Sequence, residues 1–186
     1  EASDDNKQPG VPTAELEEVR LCPISLQQPV ITKLDASLGQ LKKCKQLRLS
    51  TNSIDKINNL SGLDSLEILS MGRNMLKKIE GLEPVAETLQ QLWLSYNKIA
   101  SLAGIEKLQN LQVLFMSNNM IDKWAEIERL TSLTKLRDVN FFGNPIQQKA
   151  AEDGSWRIEL LKRLPNLKNI DGQMVEDDER EQARCG

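Results

Sequence analysis

Histidine is missing from this chain altogether, which removes the commonest general base and the commonest metal ligand at neutral pH. Cysteine is nearly as scarce: Cys22, Cys44 and Cys185 are odd in number and far apart, and no Cys-x-x-Cys pair exists to hold a metal. That usage points to a reduced, intracellular setting rather than a disulfide framework. There is no Gly-rich phosphate loop, and no apolar run approaches the roughly 20 residues that span a membrane. A signal-peptide pattern is lacking too, and because the chain opens at Glu1 its natural start is expected further upstream. The net charge of −3 weighs against general nucleic-acid binding. Carboxylates such as Asp64, Glu80 and Glu83 are scattered singly, so no catalytic constellation emerges. The expectation is a soluble, monomeric, non-enzymatic domain with no cofactor, no metal and no membrane or nucleic-acid partner. Aromatics make up only 4% of the residues, which makes the position of each one informative.

What the chain does have is repetition. Asn52, Asn74, Asn97 and Asn119 recur every 22 or 23 residues at the end of one frame, Leu-x-x-Leu-x-Leu-x-x-Asn-x-Ile, as in Leu89-Gln-Gln-Leu92-Trp-Leu94-Ser-Tyr-Asn97-Lys-Ile99. Several positions must agree in every copy, so this is the leucine-rich repeat signature. Alternate leucines of a short strand point one way, and the asparagine amide can bond backbone groups left open where the strand turns. Apolar residues then follow at spacings of three, as Ile54, Ile57, Leu60 and Leu63, which suits a short helix or 3₁₀ return. A fifth copy ends at Asn144 after a 25-residue step, and Val19-Arg-Leu21 opens a degenerate first copy. The fold class expected is therefore α/β: a right-handed solenoid of about six repeats, with a parallel sheet on one face and short helices on the other. A helical C-terminal cap from Trp156 to Leu164 would close its exposed end. The organisation reads as a polar N-terminal segment open to disorder (1–17), the solenoid (18–154), the cap (155–172) and a protruding terminal helix or tail (173–186).

The candidate site lies on the outward positions of the sheet. One column reads Arg48, Ser70, Trp93, Phe115 and Asn140; its neighbour reads Gln46, Ile68, Gln91, Val113 and Asp138; a third ends in Phe142. Ile68, Trp93, Val113 and Phe115 are expected to form a contiguous apolar patch for a partner, since such patches mark interfaces and Trp is enriched among their anchors. The alternative is a terminal segment of the same chain folded over that face. Met71, Leu94, Met116 and Phe141 fall on inward positions and are expected to be core. Lys56, Lys78 and Lys123, with Lys77 beside them and Ser101 interrupting, should stack along one edge; they read either as a basic strip for an acidic surface or as ordinary solvated lysines. In the tail, strong helix formers follow Met174 and Val175 with acids before bases, the order the helix dipole favours.

Three stretches carry a closer likeness: Leu49-Ser-Thr-Asn52-Ser-Ile54-Asp-Lys-Ile57, the Leu92 to Leu108 segment, and Arg163-Leu-Pro-Asn-Leu-Lys168 followed by Asp178-Glu-Arg-Glu-Gln-Ala183. The return spacing is similar to the short-repeat class of phosphatase regulatory subunits. More narrowly, from about Val19 to Ala183 the chain resembles the leucine-rich repeat light chains of axonemal outer-arm dynein. That resemblance implies a non-catalytic subunit of the cytoskeleton of cilia and flagella. It would bind the dynein heavy chain at the microtubule-binding tip of its stalk, with tubulin as a second candidate partner, and modulate the motor. It also implies that the apolar sheet face meets the heavy chain through Ile68, Trp93, Val113 and Phe115, and that Glu176, Arg180 and, by a looser match, Arg184 of the tail are functional; Ser70, Asn140 and Phe142 on the face and Met174 in the tail are further candidates beside them. Gln173 shifts Met174 one place from the family pattern, and the stretch from Glu1 to Thr13 replaces an N-terminal helix.

Overall fold

In the computed structural model, residues 12–23 and 29–185 are described, so most of the N-terminal segment lies outside the described residues. Each Leu-x-Leu frame forms a three-residue strand. These are β1 (Glu18–Arg20), β2 (Gln46–Arg48), β3 (Ile68–Ser70), β4 (Gln91–Trp93), β5 (Val113–Phe115) and β6 (Asp138–Asn140), followed by the shorter β7 (Asn169–Ile170) and β8 (Gln173–Met174). They form one sheet in chain order, parallel from β1 to β7, with β8 antiparallel. Register is strict: Leu47, Leu69, Leu92, Leu114, Val139 and Ile170 align side by side and are fully buried. A one-residue slip would turn this row outward, so burial itself fixes the register.

The asparagines tie the coils together. Asn97 Nδ2 donates to Met71 O at 3.0 Å and Leu94 O at 2.9 Å, while its Oδ1 accepts from Leu76 N at 3.0 Å. The same pattern holds at Asn52, Asn74, Asn119 and Asn144, so that inner carbonyls such as Met71 O and Leu94 O each receive two asparagines. Just before each ladder asparagine the chain turns through a positive φ, at Thr51, Arg73, Tyr96, Asn118 and Gly143. Only the last is glycine; the others hold a conformation that L residues adopt at a cost of roughly 1–2 kcal/mol, and they do so because the ladder leaves the chain no other path.

The short helices expected on the return side are mostly single 3₁₀ turns, at Ala36–Gln40, Glu83–Val85 and Ile105–Lys107; the segment after Asn52 has turns alone. A 3₁₀ turn rises about 2.0 Å per residue against 1.5 Å in an α-helix, so it spans the coil with fewer residues. The 25-residue step between Asn119 and Asn144 has room for an α-helix, and there α1 (Trp124–Glu128) forms. Gly81, at φ 72°, backs so closely onto Ile57 O that a Cβ would collide with it.

Closing the far end are α2 (Pro145–Glu152), α3 (Trp156–Arg163) and α4 (Asp177–Cys185). The β7–β8 hairpin turns through Asp171 and Gly172, both at positive φ as an Asp-Gly turn requires. Because the main chain bends away here, the Asp171 side chain takes over the backbone's role: its Oδ1 accepts from Phe141 N at 2.6 Å and its Oδ2 from Trp156 Nε1 at 2.8 Å. Met71, Leu94, Met116 and Phe141 are fully buried, and burial pushes the Cys44 thiol up to about 11.

The terminal helix does not project freely from the solenoid. Arg157 of α3 grips Glu179 of α4 with both Nε and Nη2, at 2.5 and 2.9 Å, and also donates to Ile170 O and Met174 O. Arg180 reaches back to Pro165 O and Leu167 O at 3.1 and 2.8 Å, while Val175 is buried and Ala183 packs against the core. An ion pair, hydrogen bonds from two arginines to backbone carbonyls and two apolar contacts thus hold α4 against α3 and the loop before β7, where the sequence offered only Met174 and Val175 as anchors.

Candidate docking face

Strands β2 to β6 set the first outward column in register, Arg48, Ser70, Trp93, Phe115, Asn140, and the second, Gln46, Ile68, Gln91, Val113, Asp138. Trp93 and Phe115 stack with centroids 5.9 Å apart and planes inclined by 27°, the offset arrangement that aromatic quadrupoles prefer. Both are half-buried, as are Ile68 and Val113. Their neighbours supply the cover: Arg48 reaches across the strand between them to hold its guanidinium 5.3 Å from the Trp93 ring centre. Its Nε is 3.0 Å from Glu18 and its Nη2 3.1 Å from the Gln46 amide. The Trp93 indole N–H is buried without an acceptor among the described residues.

Two details depart from the sequence reading. Ser70 lies beneath the Arg48 to Trp93 bridge at 6% exposure and shares a hydrogen bond with Ser50 at 2.8 Å, so its hydroxyl belongs to the fold rather than to the docking surface. Gln91 stands in register between Ile68 and Val113, so the second column is interrupted there and Ile68 meets the patch across the diagonal to Trp93. Asn140 turns its Oδ1 back to Phe142 N at 3.1 Å.

Phe142 is 60% exposed at the rim. It is joined there by residues the columns missed: Met75, Tyr96 and Met120 are also exposed. The asparagines carry the signal that would have found them, since Tyr96 precedes a ladder asparagine by one residue and Met75 and Met120 follow one. Arg73 stacks on Tyr96 at 4.3 Å, along the same rim.

The lysine edge is of mixed charge. Lys56, Lys77, Lys78 and Lys123 are all exposed, but Lys56 lies 3.8 Å from Glu80. At Ser101 the row holds a carboxylate instead: Glu126 accepts from the Ser101 hydroxyl and the Leu102 N–H. Burial raises the Glu126 pKa, yet these bonds and Arg129 outweigh it and hold the carboxyl below its ordinary range. The edge therefore lacks the continuous positive field of a polyanion-binding strip.

In the tail, Met174 is 74% exposed and Glu176 and Arg184 face solvent, whereas Arg180 is engaged with the loop before β7. The Arg157 guanidinium holds Glu179 below the usual carboxylate range. Among the described residues no group of His, Cys, Asp and Glu could hold a metal, and no helix is long and apolar enough to cross a membrane.

Comparison with known proteins places this geometry. Residues 87–129 match the family described as leucine rich repeats in two copies. A solved structure, the SNF/U2A′ complex of Drosophila melanogaster, shares the fold with a TM-score of 0.63 at 24% identity, over 73% of this chain and 77% of that one. Dynein axonemal light chain 1 of Chlamydomonas reinhardtii is 59% identical over 158 residues, covering 83% of this chain and 80% of its own. The Xenopus laevis protein of that name is 56% identical over 94% of this chain and 89% of its own. Identity at that level over most of both chains means that the chain belongs to the dynein axonemal light chain 1 family.

Proposed function

We propose that this chain is a non-catalytic regulatory light chain of an axonemal outer-arm dynein, working in the axoneme of cilia or flagella. It docks its sheet face on the microtubule-binding tip of the heavy-chain stalk. The observation that carries the reading is the Trp93–Phe115 stack, two large rings presented on a face that the repeats do not bury. The C-terminal helix lies on α3 instead of over the rings, which leaves the face open to a partner from that side. Met174, Glu176 and Arg184 point outward beside it and offer a second, smaller contact to the heavy chain or tubulin.

Regulation follows if the light chain prefers one state of the motor. A subunit bound equally well to the strong- and weak-binding forms shifts nothing; a tenfold preference shifts track affinity by about 1.4 kcal/mol.

The test is binding to a recombinant outer-arm stalk tip, comparing the native chain with a Trp93→Ala, Phe115→Ala double variant that remains folded. Loss of roughly 2 kcal/mol or more supports the face as the docking surface. If the native chain fails to bind the stalk tip, the heavy-chain reading falls and a general scaffold role replaces it. Motor speed and microtubule affinity, measured with and without the chain, separate a regulator from a passive linker.

A further inference from the structure

Among the described residues, the Asp138 carboxylate on the sheet face has no counter-ion. Asp138 on β6 stands beside Val113 in register and diagonal to Phe115. It is half-buried and accepts one hydrogen bond, from Asn169 Nδ2 at 3.3 Å. Burial raises its pKa, and the Asn169 amide offsets only part of that. At the opposite end of the face, by contrast, Arg48 already faces Glu18 at 3.0 Å. A partner that covers Phe115 and Val113 strips the remaining water from Asp138, and an uncompensated charge buried in that way opposes binding strongly.

Resting on the docking reading above, we propose that Asp138 is the cation-accepting position of the face: the partner is a helix whose apolar stripe covers Trp93 and Phe115 and whose basic residue pairs with Asp138. Strand spacing sets where that residue falls. From β4 to β6 is two steps of about 4.8 Å, or roughly 10 Å in all; at about 1.5 Å per residue this is six to seven residues of helix. The basic side chain therefore stands two turns from the apolar residue over Trp93, on the same helix face. Arginine suits the position better than lysine. Its planar fork matches a carboxylate and stacks on an aromatic ring such as Phe115.

The experiment measures the affinity of the full chain for a recombinant outer-arm stalk tip with Asp138→Asn, Asp138→Lys and the Trp93→Ala, Phe115→Ala variant in parallel. Asparagine keeps the oxygen that accepts from Asn169, so the fold is retained. The expected result is a loss of about tenfold or more for Asp138→Asn and a larger one for Asp138→Lys. An acidic substitution of one Lys or Arg in the stalk tip should recover at least tenfold with Asp138→Lys. If Asp138→Asn binds within twofold of native while the aromatic variant does not bind, the cation position is wrong and the docking face stands. If the native chain does not bind at all, both fall.

Discussion

Replacing Asn97 by alanine tests whether the ladder, as much as the leucine core, holds the coils in register. Besides a long bond to Ser95 O at 3.5 Å, the amide makes three close ones, and their fates differ. Met71 O keeps a donor from Asn74, and Leu94 O keeps one from Asn119. The N–H of fully buried Leu76 keeps none. One orphaned donor costs about 1–3 kcal/mol and each of the two lost but compensated bonds about 0.5–1.5, so the expected destabilisation is about 2–6 kcal/mol. That is a large part of the roughly 5–15 kcal/mol by which a domain of this kind is stable. Urea unfolding followed by tryptophan fluorescence and far-ultraviolet circular dichroism measures it. Since each coil contacts only its neighbours, a break at the centre should also lower m and separate the two probes. Asn97→Asp divides the contributions: it retains the acceptor for Leu76 but sets an anionic oxygen against two carbonyls. The folded chain raises that carboxyl's pKa, so the stability it allows is present at acid pH and lost as pH rises through the raised value. A loss below about 1 kcal/mol for alanine, with m unchanged, would show that the core alone fixes the register.

Other perturbations follow from the same geometry. Thr51→Gly should raise stability by about 0.5–1 kcal/mol in urea, because a β-branched residue there occupies a positive φ. Gly81→Ala should destabilise by more than about 2 kcal/mol through collision with Ile57 O, whereas Gly154→Ala, with open space around it, should lose only about 1 for its positive φ. The Glu179 carboxyl is depressed below its ordinary 4.5 by Arg157. Its contribution is therefore full above pH 4.5 and lost as pH falls through the depressed value, releasing α4 in acid; Glu179→Gln should release it at neutral pH, read from backbone amide shifts of residues 177–185. Arg48→Ala should uncover the Trp93 ring and increase its quenching by acrylamide; unchanged quenching would mean the guanidinium gives no cover.

The ladder, the strand frames and the outward columns could be read directly from spacing, because each repeats a rule that burial enforces at every copy. What escaped the sequence depends on pairs of unlike residues. Ser70 sits in an outward position by count, and only the reach of Arg48 to Trp93 over it makes it interior. Nothing periodic links Arg157 to Glu179, so the docking of α4 could not be foreseen. The lysine row was legible as a row, but Glu80 and Glu126 lie between its members through inter-coil neighbours that no single repeat displays. The non-glycine residues at positive φ were hidden for a similar reason: Thr51, Arg73 and Tyr96 have no preference for that conformation and take it because the asparagine after them must turn inward.

Anything built by copying one unit needs an instruction to stop, and here that instruction is small. An asparagine both gives and receives, so each coil hands the next the same incomplete edge. Beyond the last ladder asparagine, Asn144, the Asp171 side chain stands where earlier coils present a strand carbonyl: it receives from Phe141 and Trp156, and its carboxylate has nothing to give. It works as a terminator, placed after the last copied unit and independent of how many units precede it. Whole coils spliced between Asn74 and Asn119 would therefore lengthen the docking face by about 4.8 Å each, with the stop signal left as it is.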